Sequence, residues 1–398
     1  MPDLEAMAAK AMAAKAMAAT ASSTSFHLSA RANLGFRRLK TSTSAAEASP
    51  SSSASKLTHV LATASRAGYG RRRPSTVPDC EPATAEEIAS LASFISSKER
   101  LLVITGAGCS TESNIPDYRS PTGAYSSGFK PMTHQDFLKT EANQRRYWAR
   151  SFVGWRRFAE QTAPNDAHRA IAELQRESNV WRLITQNVDR LHQVAGAADV
   201  LELHGSTHDV QCLACGAVSC RRRLQRRLAD LNPRLAAAAD DAIDPRSGEA
   251  PYDDGATPPS MSSDSDGTPN LRTRPDGDVE LDGELVVDFV VPPCEKCNRG
   301  PLKPAVVFFG DGVPAATAEE ARRMSDGCDG VLIVGSSVST FSAFRLVRDA
   351  HERGVPVAVL TCGWTRVDEM ASVKVEKLAG EVLPRVVERL RREELWGF

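Results

Sequence analysis

Two pairs of cysteines have the spacing of a metal site. Cys212-x-x-Cys215 and Cys294-x-x-Cys297 offer four thiolates, and four soft sulfur ligands in a tetrahedral set are what a structural zinc ion requires. Because every ligand is a cysteine, no position stays open for water, so we predict that this zinc holds structure and does not catalyse. The long stretch between the pairs can loop out, since the entropy of loop closure grows only logarithmically with length.

A glycine-rich stretch could bind an anionic cofactor. Residues 101–119 read LLVITGAGCSTESNIPDYR: a short apolar run that suits a strand buried on both faces, then Gly106 and Gly108, which allow a tight turn and a close approach to a ligand. Thr111 stands where the dinucleotide fingerprint needs a third glycine, and no Gly-Lys-Ser/Thr follows. We expect the free amides of the turn to bind a phosphate-bearing cofactor, with an ordinary strand-to-helix turn as the alternative.

Three polar stretches follow predicted strands. They are residues 186–189 (QNVD), 204–206 (HGS) and 335–337 (GSS). The carboxyl ends of parallel strands are where such sheets bind ligands, and a histidine there, with an ordinary pKa near 6.5, can accept a proton at neutral pH. We therefore interpret His204 as the general base. The remaining histidines we singled out are interpreted as structural or exposed: His134, His168, His192 and His208.

The elements that must position these residues alternate between strand and helix. Buried strands are predicted at residues 101–104, 181–185, 200–203, 306–309, 331–334 and 355–360. Helices are predicted after a capping box at Thr84 and Glu87, from Asn165, from a second capping box at Thr317 and Glu320, and from 341 to 353. The alternation indicates an α/β fold with a parallel sheet. It is broken between His208 and Pro304, where the cysteine pairs indicate a small inserted zinc domain.

Composition limits the classes of function. The 398 residues carry 49 basic and 50 acidic side chains, so no basic footprint favours nucleic-acid binding, and no apolar run approaches the roughly 18 residues of a membrane helix. The arginine-rich run 221–227 is interpreted as a solvated helix face and not as a nucleic-acid patch. Nine cysteines, four of them in the two pairs, favour metal in a reducing compartment over disulfides.

Two regions have the composition of unfolded chain. Residues 1 to about 80 are rich in Ala, Ser, Thr and Arg and poor in acids, which is typical of a transit peptide. The arginines favour the mitochondrial matrix, with a plastid as the alternative, and a plain disordered tail is the other interpretation. Residues 240–282 are rich in Pro, Gly, Ser and Asp, and we expect this insertion to be disordered.

The ordered motifs resemble those of a known family. GAGCSTESNIPDYRS, TQNVD, LHGS, the two cysteine pairs, VVFFGD and GSS, in this order, resemble the sirtuins, NAD-dependent protein deacylases. The match runs from about Ile88 to Leu383, and RYWARSFVGW with VVFFGD is most similar to the class II, mitochondrial sirtuin-four-like branch. The resemblance implies a catalytic region at 81–398, with Rossmann-like NAD-binding parts at about 84–125, 165–208 and 304–398 and a zinc module at 209–303. An acyl-lysine channel would lie between the two parts.

The same resemblance implies roles for individual residues. His204 would deprotonate a ribose hydroxyl, with Asn187 and Asp189 around the nicotinamide ribose, and the products would be free lysine, nicotinamide and O-acyl-ADP-ribose. The residues implied to bind NAD are Gly106, Ala107, Gly108, Asp117, Tyr118, Arg119, Gln186, Asn187, Val188, Asp189, Gly335, Ser336, Ser337, Thr361, Cys362, Gly363 and Ala379.

The chain departs from the family pattern at several positions. Cys109 and Asn114 stand where the family has an aliphatic residue and a glycine, and asparagine best tolerates the left-handed backbone that a glycine would supply. Where the family has an asparagine before a glycine to bind the adenosine ribose, this chain has Thr361-Cys362-Gly363, so we expect weaker NAD affinity. Tyr147 and Arg150 have the Tyr-x-x-Arg spacing that resembles the class II pair reading acidic acyl groups. A guanidinium can hold a carboxylate with two hydrogen bonds, and the alternative is that both residues simply cap a surface helix.

Three functions are consistent with these residues. The first is an NAD-dependent lysine deacylase that prefers long or acidic acyl groups on protein substrates, working as a monomer. The second is a mono-ADP-ribosyltransferase using the same NAD site, and the third is a non-catalytic NAD-sensing scaffold. The deacylase is favoured because its reaction requires both His204 as a base and an acyl channel.

Overall fold

The structure, a computed structural model, describes residues 76–121, 123–160, 162–241, 274–279, 281 and 286–396. The predicted transit peptide, apart from its last few residues, and residues 242–273 of the predicted disordered insertion lie outside this part of the chain. Within the described part, no helix is both long enough and apolar enough to cross a membrane.

A six-stranded parallel sheet lies at the centre of the fold, as the sequence predicted. Its strands run in the order β3-β2-β1-β7-β8-β9, and Ile104 of β1 pairs with Ile184 of β2 on one side and Ile333 of β7 on the other. The strands of this sheet are β1 (Leu101–Thr105), β2 (Arg182–Thr185), β3 (Val200–Glu202), β7 (Gly330–Val334), β8 (Val357–Leu360) and β9 (Ala371–Val375). Strand β9 was not predicted.

Helices cover both faces of this sheet. Because side chains alternate along a strand, Leu101 and Val103 of β1 pack into one core, and Leu102 and Ile104 pack into the other. The first core is covered by α1 (Ala85–Ser96), α4 (Asp166–Arg176) and α10 (Ala379–Trp396), and the second by α8 (Ala315–Gly327) and α9 (Phe341–Glu352). The short α5 (Leu191–Val194) follows β2. Short 3-10 turns lie at Ala107–Cys109, Thr111–Ser113, Ala124–Ser127 and Asp368–Met370.

The helix starts test the capping predictions. Thr84 Oγ1 accepts the backbone N–H of Glu87, and the Glu87 carboxylate accepts the backbone N–H of Thr84, so the first capping box is confirmed. The second prediction was wrong, because α8 begins at Ala315, after Pro314. Proline has no N–H to leave unpaired and a φ near the helical value, so it favours a start at this point, ahead of Thr317.

The inserted module has its own antiparallel sheet and core. The strands β4 (Gly205–Cys212), β5 (Val218–Cys220) and β6 (Leu302–Val306) run in the order β5-β4-β6. Around this sheet lie α2 (His134–Lys139), α3 (Glu141–Glu160), α6 (Arg221–Leu231) and α7 (Pro233–Asp241). The strand predicted at 306–309 was misplaced: β6 ends at Val306 and pairs antiparallel with β4, so it is not part of the central sheet.

One arginine of the run 221–227 is not solvated. Arg221 is only 1% exposed, and its guanidinium carbon lies 4.9 Å and 5.0 Å from the ring centroids of Trp148 and Trp155. It donates to Ser151 O at 3.0 Å, and burial lowers its pKa to about 10. The solvated-face prediction therefore fails at Arg221, which anchors α6 to α3, and holds for its exposed neighbours Arg222, Arg223 and Arg226.

Candidate active site

A cavity of about 1300 Å³ opens at the carboxyl ends of β1, β2, β7 and β8. All the residues that the resemblance assigned to the cofactor line it, and so does His204. They are Gly106, Ala107, Gly108, Asp117, Tyr118, Arg119, Gln186, Asn187, Val188, Asp189, Gly335, Ser336, Ser337, Thr361, Cys362, Gly363 and Ala379. The described residues that line this cavity do not include Tyr147 or Arg150.

Two glycine loops meet backbone to backbone on the floor of this cavity. The N–H of Gly106 donates to Val334 O at 3.1 Å, and the N–H of Gly108 donates to Gly335 O at 2.8 Å. Gly335 has a φ of +57°, and a Cβ there would lie 2.2 Å from the backbone nitrogen of Cys109. The loops can approach this closely only without side chains, and together they form a concave surface at the cavity. The expectation of free amides is wrong for Gly106 and Gly108, because both N–H groups donate to the backbone of the neighbouring loop.

The loop after β1 folds back on itself. Asn114 ends its second 3-10 turn with a φ of +63°, the left-handed conformation that the sequence analysis expected at this position. Asp117 Oδ1 then accepts the backbone N–H groups of Arg119 at 3.1 Å and Ser120 at 2.9 Å. Asparagine thus replaces the family's glycine without unfolding the turn.

A network of buried hydrogen bonds fastens residues 187–189 to this loop. Ser110 Oγ donates to Asp189 Oδ2 at 2.7 Å, and the backbone N–H of Leu191 donates to Asp189 Oδ1 at 2.9 Å. Asn187 Nδ2 donates to Gly106 O and to Ser110 Oγ, each at 3.0 Å. Burial raises the pKa of Asp189, although both hydrogen bonds to its carboxylate act in the opposite direction.

Gln186 joins the end of β2 to the loop after β7. Its Nε2 donates to Ser336 Oγ at 2.8 Å, and its Oε1 accepts from Thr340 Oγ1 at 2.9 Å. The stretches 186–189 and 335–337 are therefore in direct contact, and His204 of the third stretch contacts the carbonyl oxygen of Gln186.

The ring of His204 is held so that one nitrogen stays basic. Its Nδ1 lies 3.1 Å from the carbonyl oxygen of Gln186, which can only accept, so Nδ1 carries the proton. Nε2 then has a lone pair and accepts from Ser342 Oγ at 2.8 Å. Burial lowers the pKa of His204 below its ordinary value, partly offset by the bond to Gln186. The imidazole is therefore neutral at pH 7.

The cavity wall also contains residues that were not predicted from the sequence, and Ser342, Pro275 and Asp276 are examples. Ser342 lies in the first turn of α9, a helix that was predicted, yet no motif marked its hydroxyl. Pro275 and Asp276 come from the far end of the insertion predicted to be disordered, and both line the cavity. Compositional bias across that insertion concealed the short described segment 274–279.

Tyr147 and Arg150 are engaged elsewhere. The ring of Tyr147 packs 5.3 Å from that of Trp148 and 5.2 Å from that of Phe308, centroid to centroid. Arg150 Nη2 lies 3.1 Å from Asp278 Oδ2, and its Nε donates to Val279 O at 2.8 Å. The segment 274–279 therefore already supplies a carboxylate to this guanidinium.

The four paired cysteines converge as predicted. Their sulfur atoms lie within 4.8 Å of one another, with Cys212 Sγ 3.7 Å from Cys297 Sγ and Cys215 Sγ 3.8 Å from Cys294 Sγ. Hydrogen bonds from the backbone of Cys297 and Lys296 lower the pKa of the Cys294 thiol to about 7. An all-cysteine tetrahedral set of this kind fits one structural zinc ion.

A disulfide joins Cys80 to Cys362, with the two Cα atoms 6.7 Å apart. The number and spacing of the cysteines favoured metal over disulfides for the class as a whole, and this pair is the exception. Cys362 follows β8, while Val77, Pro78 and Asp79, next to Cys80, line the same cavity. A bond across 282 positions of sequence leaves no local signature by which it could have been predicted.

Comparisons with known proteins agree with this geometry. A profile of the Sir2 family matches residues 106–342. The chain is 44% identical over 313 residues to the NAD-dependent protein deacylase SRT2 of Arabidopsis thaliana, covering 78% of this chain and 79% of that protein. It is 40% identical over 312 residues to the NAD-dependent protein lipoamidase sirtuin-4, mitochondrial, of Bos taurus, covering 78% and 89%.

A solved structure is also similar. Sir2Af2 bound to a myristoylated histone peptide superposes with a TM-score of 0.51 and 25% identity, covering 79% of this chain and 100% of that one.

Proposed function

This chain belongs to the Sir2 family and is an NAD-dependent protein deacylase, and we propose that it removes long acyl groups from lysine with His204 as its general base. The observation that carries the assignment of the base is the pair of hydrogen bonds on the His204 ring. The carbonyl of Gln186 fixes the proton on Nδ1, which leaves Nε2 as the basic nitrogen of the ring, and His204 lines the cavity.

The residues divide the work according to their chemistry. The concave surface of the two glycine loops lets the phosphates of NAD approach the backbone closely, and NAD supplies the ribose carbon from which nicotinamide leaves. We assign Asn187 and Asp189 to orienting that ribose, and their hydrogen bonds to Gly106 and Ser110 support this role by fastening both residues to the loop after β1. His204 Nε2 accepts the proton of a ribose hydroxyl, because the neutral ring is the form present at pH 7.

The acyl preference we propose is for long, uncharged chains. Ile115, Val188, Val306 and Phe308 give the cavity an apolar wall. Arg150 has its carboxylate partner in Asp278, so reading an acidic acyl group would require breaking this ion pair. A relative named as a lipoamidase and a similar structure bound to a myristoylated peptide support the preference for long acyl chains.

A matched series of acyl-peptides tests this preference. We would compare kcat/KM for one peptide carrying acetyl, pentanoyl, glutaryl or lipoyl lysine. Pentanoyl and glutaryl have the same number of carbons and differ in the terminal carboxylate, so their ratio isolates the charge. We expect lipoyl and pentanoyl to exceed both glutaryl and acetyl. Faster turnover of glutaryl would restore Arg150 as an acid reader, and fastest turnover of acetyl would refute the long-chain preference.

The two competing functions are separated by their products. Incubation with NAD and acyl-peptide should yield O-acyl-ADP-ribose by mass spectrometry. ADP-ribosylated protein without that product would favour the transferase, and unchanged NAD would favour the scaffold. The buried, oriented base favours the deacylase, because cleavage of NAD alone would not require it.

We further propose that the protein works as a monomer on acyl-lysine proteins in an organelle, without nucleic acid or membrane partners. The arginine-rich composition of the first 80 residues and the mitochondrial relative support the mitochondrial matrix over a plastid. A fluorescent protein fused behind residues 1–80 should colocalise with a matrix marker, and accumulation in plastids would contradict this choice.

A further inference from the structure

Three buried side chains behind the glycine loop form a second cluster of metal-ligand type. One nitrogen each of His168 and His192 and the sulfur of Cys109 lie within 4.8 Å of one another. All three residues are at most 1% exposed, and the centroids of the two imidazole rings are 4.7 Å apart. None of the three is among the described residues that line the cavity. The cluster is therefore separate from both the NAD site and the four-cysteine site.

The hydrogen bonds of His192 leave its Nδ1 with a lone pair. Its Nε2 lies 2.9 Å from Thr105 Oγ1, and Thr105 donates its only hydroxyl proton to Thr185 Oγ1 at 2.8 Å. Thr105 must therefore accept from His192, which places the ring proton on Nε2. Among the described residues, Nδ1 has no hydrogen-bond partner although it is buried. A buried acceptor without a partner is rare, and a bound ligand is one way to satisfy it.

The hydrogen bonds of His168 leave its Nε2 with a lone pair, as those of His192 leave its Nδ1. Its Nδ1 lies 2.8 Å from Asn165 Oδ1, which also caps α4 and can only accept, and 3.3 Å from the backbone N–H of Asn165, which can only donate. Because the shorter contact would set two lone pairs against each other unless Nδ1 were protonated, Nδ1 carries the proton. Nε2 is 3.4 Å from Ser110 Oγ, but that hydroxyl donates its proton to Asp189. Both neutral rings thus keep one nitrogen lone pair, the form in which histidine ligates metal, and each has a partner that fixes its tautomer.

We propose that Cys109, His168 and His192 bind one Cu(I) ion in a three-coordinate site with one thiolate and two imidazole ligands. Soft sulfur selects a soft metal, and three ligands suffice for Cu(I), whereas zinc sites are almost always four-coordinate. The nearby carboxylate of Asp189 has hydrogen-bond donors on both of its oxygens, and it is not part of the cluster.

The charge balance also suits a monovalent ion. When the Cu–S bond forms, the S–H bond breaks and its proton passes to solvent, with no change of oxidation state. The protonated thiol with two neutral imidazoles is uncharged, and the thiolate with Cu(I) and the same imidazoles is uncharged too. No net charge is added to the core. Burial raises the pKa of the Cys109 thiol, so uptake should increase with pH.

The ion would connect the cofactor loop to two helices. Cys109 ends the first 3-10 turn of that loop, His168 lies in α4 and His192 in α5. Ser110, adjacent to Cys109, holds Asp189. A metal bond at Cys109 would stiffen the cofactor loop and, through Ser110, Asp189, so we expect bound metal to inhibit deacylation. This inhibition rests on the proposed role of Asp189. Metal uptake does not depend on that role.

Metal titration of the full zinc-loaded chain tests the site. Cu(I) would be supplied anaerobically with ascorbate in competition with bathocuproine disulfonate, and copper and zinc would be measured together. We expect the wild type to take up one more Cu(I) per chain than Cys109→Ser or Cys109→Val, with the zinc content equal in all. Cys328→Ala removes another buried cysteine outside the cluster and should match the wild type. Equal copper uptake by the wild type and both Cys109 variants would overturn the proposal.

Turnover provides a second, separable readout. Loading with one Cu(I) should reduce deacylation by the wild type at least fivefold and leave the turnover of Cys109→Ser within twofold of its copper-free value. Equal inhibition of both would overturn control through this site. If the deacylase assignment itself were wrong, the difference in copper uptake would persist without any deacylation to inhibit, so the two failures are distinguishable.

Discussion

The hydroxyl of Ser342 donates to Nε2 of His204 at 2.8 Å, the one ring nitrogen able to take a proton. Hydrogen bonding to the neutral form of a base disfavours its protonated form and so lowers its pKa. Ser342 is therefore a positioning residue for the base: it holds the ring and keeps it neutral until substrate arrives.

The first prediction concerns the pH dependence of catalysis. His204 must be neutral to act, and burial lowers its pKa, so the acid limb of kcat/KM for the wild type should have its midpoint below pH 6.5. Ser342→Ala removes a bond to the neutral form and should move this midpoint to higher pH while reducing kcat several-fold. Ser372→Ala, whose hydroxyl bonds Val357 O in the sheet, is the control. An unmoved midpoint would show that Ser342 does not tune the base.

His204→Asn should reduce kcat by about 10²- to 10⁴-fold, the usual range for loss of a general base, because asparagine offers no basic nitrogen. Binding of NAD, measured by calorimetry, should persist. Activity within tenfold of the wild type would remove His204 from the mechanism.

Gly335→Ala should weaken NAD binding. A Cβ at this position would lie 2.2 Å from the backbone nitrogen of Cys109, and the left-handed conformation alone costs about 1–2 kcal/mol. Gly354→Ala is a matched control, since Gly354 also has a positive φ of +82° but nothing lies within 4 Å of its Cβ position. We expect Kd for NAD to rise more than tenfold only in Gly335→Ala. An equal rise of Kd in Gly335→Ala and Gly354→Ala would mean that the left-handed conformation, and not the contact between the loops, requires the glycine at position 335.

Removal of the zinc should unfold the inserted module. Cys294→Ser replaces a thiol whose pKa of about 7 favours the thiolate needed for binding. This variant should contain roughly less than 0.1 zinc per chain and should lose activity, because a site with three cysteines binds zinc far more weakly than one with four. Cys220→Ser alters an exposed cysteine outside the cluster and should keep one zinc per chain. Full zinc content in Cys294→Ser would contradict the ligand assignment.

The bond between Cys80 and Cys362 should contribute to stability. Cross-linking residues far apart in sequence restricts the unfolded chain, so reduction should lower the free energy of unfolding by about 2–5 kcal/mol. Dithiothreitol should lower Tm in the wild type but not in Cys80→Ser, which shares the zinc site and so controls for metal loss. Alkylation and mass measurement of the unreduced protein would check the bond directly, and alkylation of both cysteines would disprove it.

The sequence by itself determined the features that depend on short-range order. Burial of β1 on both faces followed from its apolar run, the cap at Thr84 from residue type and spacing, and the four-cysteine cluster from the two Cys-x-x-Cys pairs. Each of these requires contacts within a few residues, or a ligand set whose spacing is diagnostic. The cofactor residues came together because parallel strands end at one sheet edge.

Only the tertiary structure decided which distant side chains touch. The contact between Ser342 and His204, the disulfide from Cys80 to Cys362, and the meeting of Cys109 with His168 and His192 all join separate elements. Their proximity depends on strand register and on how helices pack over the sheet. Those quantities are set by the whole core, so no local pattern encodes them.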